Sequence, residues 1–147
     1  MSGWKLYVFG ETVDDSYELC SLLVPVMERY NLTMKVATQH IIDRNNKLKK
    51  KPVWSVAVIY LASEIFLENK MKDLLKDIEM SLKSYAKTGN IDGAKSIDGK
   101  VHYRYDLKEP VEPSKGVPYD KYIAMYRGEY GDFNISDNPD IDYLFKQ

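Results

Sequence analysis

Two short segments are apolar on both of their alternations, and this restricts the fold more than any other feature. In "PVWSVAVIYLA" (Pro52–Ala62), Trp54, Val56, Val58 and Tyr60 take one side of an extended strand. Val53, Ser55, Ala57, Ile59 and Leu61 take the other. In "WKLYVFG" (Trp4–Gly10), Leu6 and Val8 oppose Tyr7 and Phe9. Side chains alternate across a strand, so such segments belong inside a sheet covered on both faces. Leaving several large apolar side chains in water forfeits roughly 1.5–3 kcal/mol each. One layer of helices is therefore not enough, and something else must cover the second face. Two covers are expected: the C-terminal part of the chain, or another subunit. The surface in question is expected to hold Tyr7, Phe9, Ile59 and Leu61, met by Tyr119, Tyr122 and Tyr126.

The rest of the chain supplies the other elements. "DDSYELCSLLVPVMERY" (Asp14–Tyr30) reads as a helix capped by Asp14 or Asp15. Tyr17, Cys20, Leu23, Val24 and Met27 share one face at helical spacing. Pro25 removes a backbone donor and predicts a kink or an early end. "LTMKVATQHIID" (Leu32–Asp43) reads as a second strand, joined to the third by a hairpin loop "DRNNKLKKK". Asn45-Asn46 suits left-handed turn positions there. A long helix is predicted from Glu64 to about Lys87, with Leu67, Met71, Leu74, Leu75, Ile78, Leu82 and Tyr85 as its apolar stripe. Gly89 is the expected left-handed cap. Two Asp-Gly turns, "IDGAK" and "IDGK", lead into the strand "KVHYRYDL" (Lys100–Leu107). In that strand Val101, Tyr103, Tyr105 and Leu107 should face the core. Lys100, His102, Arg104 and Asp106 should face water.

The order β-α-β-β-α-β predicts an α+β domain over residues 1–107, a ferredoxin-like sandwich. Its antiparallel sheet would have strand order 4-1-3-2, with both helices on one face. Residues 108–147 form a Pro-rich connector and a Tyr-rich extension, expected to pack on the domain or on a neighbouring subunit. Tyr119, Tyr122, Tyr126 and Tyr130 fall at helical spacing within it.

Composition removes several kinds of chemistry. The formal charge is −1 and the isoelectric point about 6.1, whereas proteins that coat nucleic acid through their overall field are far more basic. Cys20 is the one cysteine, so no internal disulfide and no Cys/His metal array is expected. A reducing, cytoplasmic setting fits best. "MSGWKLYVFG" is unlike a secretory leader, and the longest apolar run, Val56–Ala62, is too short to span a bilayer. Neither Gly-rich phosphate loop occurs, nor does a G-x-S-x-G nucleophile elbow. Cys20 reads as a structural thiol on the core face of its helix. His40 and His102 stand in "HII" and "HYR", without the His-x-Thr or His-x-Ser pattern of two-histidine phosphoesterases. They read as two unrelated, half-exposed histidines. No catalytic residue, metal site or cofactor is expected.

Lys47, Lys49, Lys50 and Lys51 gather before the third strand. With "LYVFGE" and "IIDRNNKLKKKPVWSVAVIYL", the layout from Leu6 to Leu61 resembles an RNA-recognition motif domain. That resemblance implies base stacking on strand aromatics, and Tyr7 matches the first-strand stacker. Val53 and Ser55 stand where two further aromatics belong, and Pro52 where a glycine belongs. The resemblance is thus to a topology shared over about a third of the chain. The row Lys100, His102 and Arg104 is the candidate site for a small anionic ligand.

The reading that follows is a small binding or regulatory module, with no catalytic machinery. It self-associates and engages a protein or a small anionic ligand, as an inhibitor encoded by a virus or mobile element would. The alternatives are an RNA or single-stranded nucleic-acid binder using Tyr7 and Lys47–Lys51, and a small enzyme with an inter-subunit site near Glu64, His102 and Arg104. No membrane partner is expected.

Overall fold

A computed structural model describes residues 3–47, 55–62, 64–65 and 68–106. The C-terminal extension, Leu107, Lys49, Lys50 and Lys51 lie outside them. The elements are β1 (Gly3–Phe9), α1 (Val13–Tyr30), β2 (Thr33–Val36), α2 (Gln39–Lys47), β3 (Ser55–Tyr60), α3 (Met71–Ser81), β4 (Lys95–Ser96) and β5 (Val101–Asp106). All five strands form one antiparallel sheet in the order β2-β3-β1-β5-β4. The sheet therefore has five strands rather than the four expected. The extra one, β4, is a two-residue edge strand hairpinned onto β5 by the second Asp-Gly turn. Asp98 Oδ1 accepts from the amides of Lys100 and Val101, and Gly99 takes φ +83°. Gly93, in the first Asp-Gly pair, is also left-handed, at φ +72°.

α1 and α3 close one face of the sheet. Leu19, Leu23, Val26 and Met27 of α1 and Met71, Leu74, Leu75 and Ile78 of α3 share one core. It also holds Trp4, Leu6, Val8, Ala57, Ile59, Val101 and Tyr103. Outside that core, Asp77 joins the helices, accepting from Tyr30 Oη at 2.6 Å and pairing with Arg29 at 2.9 Å.

Several boundaries differ from those expected. Thr12, not Asp14 or Asp15, caps α1; Asp15 completes the capping box by accepting from the Thr12 amide. Pro25 does not end the helix, which runs on to Tyr30 and closes on left-handed Asn31. The buried stripe is rotated: Leu19 and Val26 point inward, while Tyr17 is 65% exposed and Val24 41%. Cys20 is half-buried instead of core.

The expected second strand, Leu32–Asp43, keeps only four residues before turning into α2. Thr38 Oγ1 accepts from the Ile41 amide, and Gln39 bonds Asp43 one turn on. Asn45-Asn46 lie in that helix and not in a hairpin turn. Residues 64–65 are helical, as expected, but left-handed Asn69, at φ 55°, interrupts the helix and α3 starts at Met71. It stops at Ser81, so Gly89 caps nothing and has no positive φ.

β3 departs from simple alternation. Val8 pairs with Ala57 but Phe9 with Ser55, so the register shifts and Val56 and Ala57 are both buried. Ile59 pairs with Leu6 and sits at the helix-covered core, with Leu61 packed against it. Neither belongs to the second face, where they were expected.

Candidate ligand-binding site

Pairing in register puts Lys35, Val58, Tyr60, Lys5, Tyr7, His102 and Arg104 on the sheet face away from α1 and α3. Half of that face is closed by the chain between α3 and β4. Tyr85 crosses the sheet end and donates to the Phe9 carbonyl at 2.6 Å. Gly89 lies against the Phe9 ring, and its amide donates to Gly99 O at 3.0 Å. Ile91 and Ala94 then pack on Tyr7, Phe9 and Val58 as a second, small apolar cluster. Among the described residues, a strap from within the domain thus packs over Tyr7 and Phe9; the expected C-terminal cover lies outside them.

Of the three residues expected to hold an anion on strand four, Lys100 and Arg104 engage this strap and His102 engages the β4–β5 turn. Lys100 Nζ donates to Leu82 O at 2.8 Å, and His102 Nε2 lies 3.3 Å from Gly99 O. Arg104 donates to Tyr7 Oη at 2.7 Å and to Asp92 O at 3.2 Å, with its guanidinium 4.4 Å from the Tyr7 ring centre. His102 is 1% exposed and Arg104 5%. The polar side of β5 is therefore buried, not in water. A strap of backbone carbonyls needs donors beneath it, and this row supplies them.

Burial pushes the His102 imidazole below its usual 6.5, against the opposing pull of the Gly99 carbonyl, Asp98 and Gly89. The fold therefore favours neutral His102. Below pH 6.5 the unfolded chain binds the proton more readily, so the stability from this residue is complete above that pH and is lost as pH falls. Urea unfolding of the full chain should show a midpoint that declines between pH 7 and pH 5, on the order of the native-to-unfolded pKa gap. The His102→Gln variant should show a flatter decline. Equal slopes in the two proteins would place the titrating group elsewhere.

At the other end of the face the chemistry is different. Tyr60 is half-buried, with Lys5 Nζ and Lys35 Nζ each 5.4 Å from its ring centre. Lys5 is only 7% exposed and sits in register directly opposite Arg104. Lys35 is exposed on β2. Two lysines about one aromatic ring, with a guanidinium next to them, form a cationic and aromatic patch. The chain reading passed over Lys5 and Lys35 because each stands alone in its strand; only cross-strand pairing brings them together. The one sequence signal is Lys5, a lysine sharing its alternation with Tyr7 and Phe9 in β1.

Neither protein-family models nor curated proteins give any match to this sequence.

The remaining candidates are scattered. Tyr7 is buried beneath Arg104 and Ile91, so its ring is not presented for stacking. Lys47 ends α2 and is exposed. His40 is exposed on α2, not on a strand, and His102 is buried where it was expected half-exposed. Glu64 is exposed before α3, while His102 and Arg104 lie under their own chain's strap. Tyr119, Tyr122 and Tyr126 lie outside the described residues. No helix among the described residues is long and apolar enough to cross a membrane.

Proposed function

We propose that this protein is a small binding module, built on a ferredoxin-like sheet with β4 added at one edge. It takes an anionic ligand at the Lys5–Tyr60–Lys35 patch. The observation that carries this reading is the pair of lysines on the Tyr60 ring, with Arg104 opposite Lys5. Like charges set directly opposite one another on a sheet are destabilising by themselves. Cations gathered on one sheet face offer an anion charge-assisted contacts. Among the described residues, the patch brings together Lys5, Lys35, Arg104 and Tyr60 without an acid–base pair poised for catalysis, so binding is favoured over an enzymatic role.

A single-stranded nucleic acid is the second reading, favoured by one detail. A half-buried ring between two ammonium groups can stack a base while the lysines meet phosphates. This moves the contact from Tyr7 and the lysine loop to Tyr60, Lys5 and Lys35.

Titration of the full chain with tripolyphosphate and with an eight-residue thymidine oligonucleotide separates the two. Affinity for either should fall with rising salt, and Lys35→Glu should weaken it about tenfold or more. Tyr60→Ala should weaken the oligonucleotide alone, by about 1–3 kcal/mol, if a base stacks there. Binding that ignores Lys35→Glu but vanishes when Lys47, Lys49, Lys50 and Lys51 become glutamate would remove the patch from consideration.

A further inference from the structure

The sheet face also has a candidate occupant within the chain. We propose that residues 107–147 dock on the Lys5–Tyr60–Lys35 patch of their own molecule. Two observations converge on this. The first is charge. Residues 107–147 carry eight acidic side chains against five basic ones, while residues 1–106 carry fourteen against sixteen. The acidic groups include the run Asp137, Asp140 and Asp142. The patch is the complement: Lys5 and Arg104 side by side, with Lys35 across the Tyr60 ring. The second is the point of departure. β5 ends at Asp106, paired with Gly3, two residues beyond the Lys5–Arg104 pair. At the strand rise the chain leaves the sheet about 7 Å from the patch. No long linker is needed, so the local concentration of the segment is high.

The aromatic content of the segment suits the same surface. Tyr119, Tyr122 and Tyr126 can offer flat rings to an aromatic and cationic face, and the acidic run can offer the charges. Docking stands apart from the ligand reading above, since an internal segment can fill the patch whether or not a second molecule also uses it. If both hold, the segment and the external anion compete, and each weakens the other.

The test uses the full chain in two isotopic forms, one natural and one uniformly labelled with ¹⁵N, mixed in equal amounts. A water-soluble carbodiimide joins an amine to a carboxylate only where they already touch. Mass spectrometry of the digest should find Lys5 or Lys35 joined to a carboxylate between Glu109 and Asp142, with both halves from the same isotopic form. Cross-links with one natural and one labelled half would assign the patch to a second copy and overturn the proposal. Links from Lys5 and Lys35 only to residues before Asp106, or no links from either, would also overturn it. A second readout is tryptic cleavage after Lys121 and Arg127. It should speed up at least severalfold in Lys35→Glu, and an unchanged rate would count against docking. Docking can fail while tripolyphosphate still binds, and the reverse, so the two readings are judged separately.

Discussion

Removing the Arg104 side chain should cost the fold roughly 2–4 kcal/mol, because the buried Tyr7 hydroxyl and the half-buried Asp92 carbonyl lose a charged donor. Arg104 donates to Tyr7 Oη at 2.7 Å and to Asp92 O at 3.2 Å, and its guanidinium lies 4.4 Å from the Tyr7 ring centre. These contacts tie β5 to β1 and to the strap. In Arg104→Ala the buried Tyr7 hydroxyl and the half-buried Asp92 carbonyl lose their charged partner. Urea unfolding should show a lower midpoint with an unchanged slope. Arg104→Lys should recover part of the loss, because an ammonium reaches one acceptor but cannot span both. A change within about 0.5 kcal/mol for Arg104→Ala, as surface positions usually give, would mean that the guanidinium lies in water.

That surface outcome is what the sequence suggests, and the reason it misleads is instructive. In "VHYRY" the alternation is clean, and on a strand with one wet face it would sort Val101 and Tyr103 inward and His102 and Arg104 outward. The first half of that inference holds, since Val101 and Tyr103 join the main core. The second half fails because the strap returns over the outer face, and no periodicity in the strand reports what a distant loop does. The double-sided apolar character of β1 was legible, and so was the need for a second cover. The cover itself was not: "NIDGA" carries one large apolar residue, Ile91, and reads as a turn. The helix pair was legible from the stripe Met71, Leu74, Leu75 and Ile78. α2 was not, because "ATQHIID" has two adjacent isoleucines and no helical stripe; Ile42 alone points inward. The cationic patch was illegible for a plainer reason. Lys5, Lys35 and Tyr60 come from three strands and meet only through register.

Gly89→Val should detach the strap. A β-carbon at Gly89 would stand 2.3 Å from Phe9 Cε2 and 2.4 Å from Cζ, well inside contact. The backbone there is not left-handed, so the penalty is purely one of packing. The Phe9 ring cannot easily swing clear, since Tyr7 and Ile91 pack beside it. Overpacking of this kind costs about 1–3 kcal/mol for one added carbon, and valine adds two more. The thermal midpoint should fall by roughly 4–12 °C. Phe9→Ala in the same chain should give back much of that loss, so the two changes together should cost far less than their sum. Additive losses would show that Gly89 and Phe9 do not meet.

Where an anion lands on the sheet can be read residue by residue from amide chemical shifts of the ¹⁵N-labelled full chain during titration with tripolyphosphate. Amides of Lys5, Lys35 and Tyr60 and their strand neighbours should move first and together, with the same apparent affinity, and the shifts should weaken in Lys35→Glu. Movement confined to Lys47 and the lysine loop after α2, or no movement at millimolar tripolyphosphate, would contradict a ligand site on this face.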